Sequence, residues 1–201
     1  MLRTHGRETL TGMGLIVAGT VAVYISFTYL VTFSTVTLKL PLRETFMVQL
    51  ASAFLMLVLM PFVGAASDRI GRRPILIGSL LGYLVVIHPL YSWLVSDPGI
   101  DRLLTVQLVI SVFVAAFFGV VSTVMAELFP ANVRSLGMSM AYNLAVMIFG
   151  GFAQFIVTWL IRATGSPMSA AYYVMFGVAL GAIASFMVRE RAHDPHIDHH
   201  D

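Results

Sequence analysis

Six long apolar runs, at residues 13–36, 46–66, 75–95, 103–125, 135–160 and 170–188, leave this chain few folding options. Each is close to the ~20 residues that a helix needs to cross about 30 Å of hydrocarbon. Inside a bilayer no water pairs with backbone N–H and C=O groups, so each run must satisfy them internally, as a helix. The expected fold is all-α and integral to a membrane. Composition points the same way, with 58% hydrophobic and only 11% charged residues, against about a quarter charged in a soluble domain. A net charge of +2 implies no nucleic-acid partner, because the basic residues lie in loops and tails rather than along one solvated face. There are no cysteines, so disulfide and thiolate chemistry are excluded. The first run is too long for a cleaved signal peptide and has no clear small-residue cleavage site.

Charge between the spans sets their orientation. The stretch Gly64-Ala-Ala-Ser-Asp68-Arg69-Ile-Gly71-Arg72-Arg73 falls between the second and third runs. Three arginines in so short a loop predict the cytoplasmic face. Six spans put both termini on that same side. Arg3, Arg7, Arg69, Arg72, Arg73, Arg134, Arg189 and Arg191 then lie there, against Lys39, Arg43, Arg102 and Arg162 opposite. The bias places both termini in the cytoplasm, as expected for a multi-pass protein of the inner or plasma membrane. Gly64 suits close helix approach, and Gly71 suits a backbone turn that side chains disfavour.

Glu127-Leu-Phe-Pro130-Ala-Asn-Val-Arg134 forms a second charged loop on that face. Pro130 ends a helix there. Glu127 and Arg134 are placed to join Asp68, Arg69, Arg72 and Arg73 in one charge cluster. Asp68 also suits a helix N-terminus, where the dipole favours negative charge.

The pattern G-x-x-x-D-R-x-G-R-[RK] between two membrane helices resembles the signature loop of the major facilitator superfamily. E-x-F-P-x-x-x-R-x-x-G resembles the loop between the tenth and eleventh helices of such transporters. Ala141-Tyr142-Asn143 and Phe149-Gly150-Gly151-Phe152-Ala153, with Tyr24 and Tyr29 before a Leu-Val-Thr-Phe segment, are similar to the metabolite:proton symporters. That subfamily includes permeases for 2-oxoglutarate, citrate, shikimate and proline or betaine. The resemblance covers residues 15–188 and implies the C-terminal six-helix half of a twelve-helix fold, built as two inverted three-helix repeats. Residues 1–12 then read as a cytoplasmic segment or the remnant of a linker between halves. Residues 13–188 form the transmembrane domain, and 189–201 a cytoplasmic tail. The implied function is proton-coupled symport of a small organic acid or zwitterion by alternating access. The charge cluster acts as a cytoplasmic gate, and a second six-helix half completes the cavity. A homodimer of half-size chains, or a truncated or non-transporting subunit, stays open beside that reading.

No Asp, Glu, Lys or Arg lies deep within a span. Proton coupling usually uses an intramembrane carboxylate or histidine, so that group is expected from the other half. His88, beside Pro89, suits interfacial packing better than a relay. Helical spacing puts Asn143, Met147, Gly150, Gln154 and Thr158 on one face of the fifth helix. Asn143 and Gln154, with Tyr24 and Tyr29, are the candidate cavity residues. Gln49 and Ser52 share a face on the second helix. Gln107, Ser111, Ala115, Phe118 and Ser122 share one on the fourth, where the serines read as helix packing. Gly150-Gly151 reads as a close-packing or bending site. The tail His193-Asp-Pro-His196-Ile-Asp198-His199-His200-Asp201 has imidazoles and carboxylates but nothing to fix their geometry, so no metal or other cofactor is expected. No His-Glu-x-x-His, Gly-x-Ser-x-Gly or intramembrane Asp pair occurs, so an enzyme is not expected.

Overall fold

The computed structural model of the chain describes residues 6–129 and 134–188. Arg3, Pro130, Arg189, Arg191 and the His-Asp tail lie outside the described residues. Six helices long and apolar enough to cross a membrane make up the fold: α1 Gly6–Thr37, α2 Leu42–Ile70, α3 Arg72–Ser96, α4 Ile100–Leu128, α5 Arg134–Thr164 and α6 Ser169–Met187. At 1.5 Å per residue even the 19-residue α6 is roughly 28 Å long. We call the side where α1 begins and α6 ends the terminal face. The helices run past their apolar runs at several ends; α1 already starts at Gly6.

Lipid supplies little drive to bring helices together, so small residues decide where backbones meet. The seam of α1 with α6 is built this way. A Cβ on Gly14 would sit 2.6 Å from Ala184 Cβ, and one on Gly177 would sit 2.8 Å from Val21 Cβ. A Cβ on Gly181 would overlap Ala18. The α2–α4 seam uses Gly64 and Gly119. A Cβ on Gly119 would lie 3.0 Å from Met60 O, and one on Gly64 3.5 Å from Gly119 O. Leu103, Val106, Ile110, Val114 and Val120 of α4 are buried, so that α4, with α1 and α6, forms the covered part of the bundle. α4 packs on α2 and α3, while α6 packs on α1 and α3 and α5 on α1.

α2 is the least covered helix. Only Thr45, Val48, Ser52 and Ser67 are buried in it, while Phe46, Leu50, Phe54, Leu57 and Phe62 are exposed. α5 likewise exposes Tyr142, Met147, Phe152, Phe155 and Trp159. Two helices are locally widened. In α1 the turns Tyr24–Tyr29 and Phe33–Thr37 are π-helical, and in α5 the turn Met147–Gly151 is. Such turns often mark functional positions. The Gly150 position lies between them: a Cβ there would be 2.8 Å from Thr20 and 3.3 Å from Tyr24. Gly150 is therefore a close-packing site, while nothing lies within 4 Å of a Cβ on Gly151.

Candidate functional site

On the terminal face the two charged loops meet. α2 ends at Ile70 and α3 begins at Arg72, so Gly71 alone makes the turn, at φ 101° and ψ 146°. Only glycine adopts such a backbone without strain. Its N–H donates to Ser67 O at 3.0 Å, closing the end of α2. The turn puts Arg72 at the start of α3, where its guanidinium pairs with Glu127 at the end of α4 and lies 3.4 Å from Asp68 Oδ1. One arginine thus joins three helix ends. Arg73 donates to Phe186 O at 3.1 Å and ties in α6. Asp68 ends up in the last turn of α2 beside Arg72, not at a helix start, so it serves the ion pair and caps nothing. Arg69 is exposed. Arg134, at the start of α5, donates to Phe129 O at 3.4 Å, just past the end of α4. Of the expected cluster, Asp68, Arg72 and Glu127 are drawn together.

A second polar surface lies along α1, α2 and α5. Tyr24 is half-buried, and Asn143 and Gln154 are exposed. Asn143 donates to Ser139 O at 2.8 Å within its own helix. Tyr29 is turned inward, 4% exposed, and accepts a 3.3 Å bond from Thr158 Oγ1 that joins α5 to α1. Both tyrosines bound one widened turn, with Tyr24 at the edge of the bundle and Tyr29 in its core. His88 is exposed on α3, its ring 5.9 Å from that of Tyr172 on α6.

Reading the sequence alone misses two features here. Tyr24, Thr28, Thr32 and Thr35 recur at steps of 4, 4 and 3 along the open edge of α1, with Thr28 and Thr32 exposed. That helical period was the available signal. The other feature is Gln107, 1% exposed, whose amide nitrogen donates to Ser26 O on α1 at 2.8 Å and to Gln49 Oε1 on α2 at 2.9 Å. Ser26 in turn shares a 2.5 Å bond with the Tyr83 hydroxyl of α3. One polar chain thus crosses four helices, and Gln107 reaches into the carbonyl ladder of α1 at its widened turn, a recognised source of helix distortion. Ser111 donates only to Gln107 O, 2.7 Å away on its own helix. The α4 face is packing at Ser111 but a cross-link at Gln107.

Among the described residues no group of three or more His, Asp or Glu gathers to hold a metal. The arrangement is a membrane bundle with an ion-pair latch at one face, a polar edge on one side and two poorly covered helices beside it.

The chain matches the Major Facilitator Superfamily over residues 9–200. It is 33% identical over 191 residues to a citrate-proton symporter of Klebsiella pneumoniae, covering 95% of this chain and 43% of that protein. Against a proline/betaine transporter of Escherichia coli K12 the identity is 28% over 192 residues, 95% of this chain and 38% of that one. An alpha-ketoglutarate permease of the same strain is 30% identical over 190 residues, 92% and 43% of the two chains. No solved structure matches the chain. The chain spans about two-fifths of the length of these curated relatives. With six membrane helices and a family match over almost its whole length, it is a multi-pass member of the Major Facilitator Superfamily.

Proposed function

We propose that this chain is the C-terminal six-helix half of a plasma-membrane symporter that moves a small organic acid or zwitterion with protons. The terminal face is cytoplasmic in this reading. Substrate binds near the bilayer midplane between two halves, as in secondary transporters built from repeats. Tyr24, Asn143 and Gln154 line this half's wall, with Tyr29 behind them, and the second half supplies the coupling carboxylate. The observation that carries the reading is the polar edge of α1 flanked by α2 and α5. Half-exposed amides and hydroxyls at membrane depth are costly against lipid, so this side suits a cavity. The relatives' named substrates support the choice of a carboxylate-bearing cargo.

The Arg72–Asp68–Glu127 latch suits a gate. Exposed ion pairs are worth only about 0–1 kcal/mol each, so they break at little cost when the face opens. The test is uptake of labelled citrate, proline and 2-oxoglutarate into proteoliposomes under an imposed pH gradient. It uses the chain alone and joined to an N-terminal half from a relative. Gradient-driven uptake of one of them is expected, cut at least tenfold by Arg72→Ala or Asp68→Asn with membrane insertion unchanged. Full uptake by both variants removes the gate, and gradient-independent or absent uptake removes the symport reading.

A further inference from the structure

We propose that Gln49 is a carboxylate-binding residue of the cavity wall and that Gln107 is the positioning residue that aims it. The proposal rests on the transport reading above and names a contact within it.

The argument starts at Gln107. A primary amide nitrogen carries two hydrogens, and both are committed, to Ser26 O and to Gln49 Oε1. Rotating this amide by half a turn would set its oxygen against the Ser26 carbonyl oxygen, acceptor against acceptor. The backbone of α1 therefore fixes which end of Gln107 faces where. Gln49 must then present its oxygen to Gln107, and its own NH2 is turned away with both donors unused by the protein. Gln107 Oε1, buried, also has no protein partner, so the amide pair is not closed on itself.

Gln49 is half-exposed, and exposed Phe46, Met47, Leu50 and Phe54 flank it along α2. It lies seven residues in from Leu42, about 10 Å below the end of α2. Two unpaired N–H donors at that depth would cost several kcal/mol against hydrocarbon. Leu30, Val31, Thr45 and Leu103 are its neighbours, without any charge. Two open N–H donors in largely apolar surroundings call for a hydrogen-bond acceptor, and a charged acceptor binds such donors most strongly. The two N–H bonds of one nitrogen diverge, so each takes a separate oxygen, and a carboxylate of the cargo supplies the acceptor that a cation or an apolar ligand lacks.

The chain has three glutamines, Gln49, Gln107 and Gln154. Side-chain 15N labelling of glutamine in the 201-residue chain, held in lipid nanodiscs, therefore gives three NH2 pairs. Loss of one pair in each of Gln49→Leu, Gln107→Leu and Gln154→Leu assigns them. Citrate and proline at millimolar concentration are the probes, with choline and sulfate as controls. The expected result is a downfield displacement of the Gln49 NH2 protons by citrate or proline and none by choline or sulfate. Gln107→Glu should abolish that response, because a carboxylate there accepts and turns the Gln49 nitrogen inward. An unmoved Gln49 pair in the unaltered chain, or one moved equally by sulfate, overturns the proposal. A response at Gln154 alone also overturns it while leaving the transport reading standing. Loss of gradient-driven uptake with the Gln49 response intact would strike the transport reading instead.

Discussion

At Gly71 a single backbone conformation sets the distance between the latch residues. With φ at 101°, alanine there is strained by about 1–3 kcal/mol. We expect Gly71→Ala to lower the thermal midpoint of the chain in detergent. Gly78→Ala is the control, since nothing lies within 4 Å of an added methyl, and a helical Gly→Ala exchange gains up to ~1 kcal/mol. Gly181→Val should be worse than Gly78→Ala by about 1–3 kcal/mol, the usual range for overpacking, because Ala18 occupies the space. Equal midpoints for the three variants would mean that neither turn nor seam is as tight as described. Gly64 and Gly71 could be read in advance because a charged loop between apolar runs leaves small residues few roles. Gly14, Gly177 and Gly181 sit inside an apolar run, and nothing local separates a seam glycine from an idle one.

Helices are the most legible level of this protein, since hydrocarbon allows an apolar run no other regular form. Their irregularities are not. Tyr24 and Tyr29 sit five residues apart and share a face only loosely by spacing, and nothing in the run announces that the turn between them widens or that Tyr29 lies in the core. Gln107 had a helical period with Ser111 and Ala115, which fits packing. Its partners Ser26 and Gln49 are 81 and 58 residues away, so no local pattern could announce the link. Its strength can be measured. In a double-mutant cycle of Ser26→Ala and Tyr83→Phe, a coupling of about 0.6–1.7 kcal/mol is expected, the range for hydrogen bonds between membrane helices. Zero coupling, read from unfolding in mixed micelles, would remove this bond from the account of how α1 is held to α3.

Across the whole molecule, the latch and the polar edge lie on different helices' ends and flanks, and α4 and α1 connect them. If Arg72–Glu127 acts as a pair, Arg72→Glu should lose uptake and Arg72→Glu with Glu127→Arg should regain part of it. No recovery would assign the loss to Arg72 alone. The charged loops were legible as a cluster from their shared side of the membrane. That Arg72 takes both acids while Arg134 turns back to Phe129 was not, because it depends on where the helix ends stop.

The seam between α1 and α6 joins the first and the last of the described helices. From Thr37 to Met187 the ribosome adds 150 residues, which at about 5–20 residues per second takes roughly 8–30 s. During that interval α1 is already made, with its groove at Gly14 and Ala18 still uncovered. Synthesis therefore leaves α1 needing a temporary neighbour in the membrane, and a nascent chain stopped before Ser169 would keep it waiting.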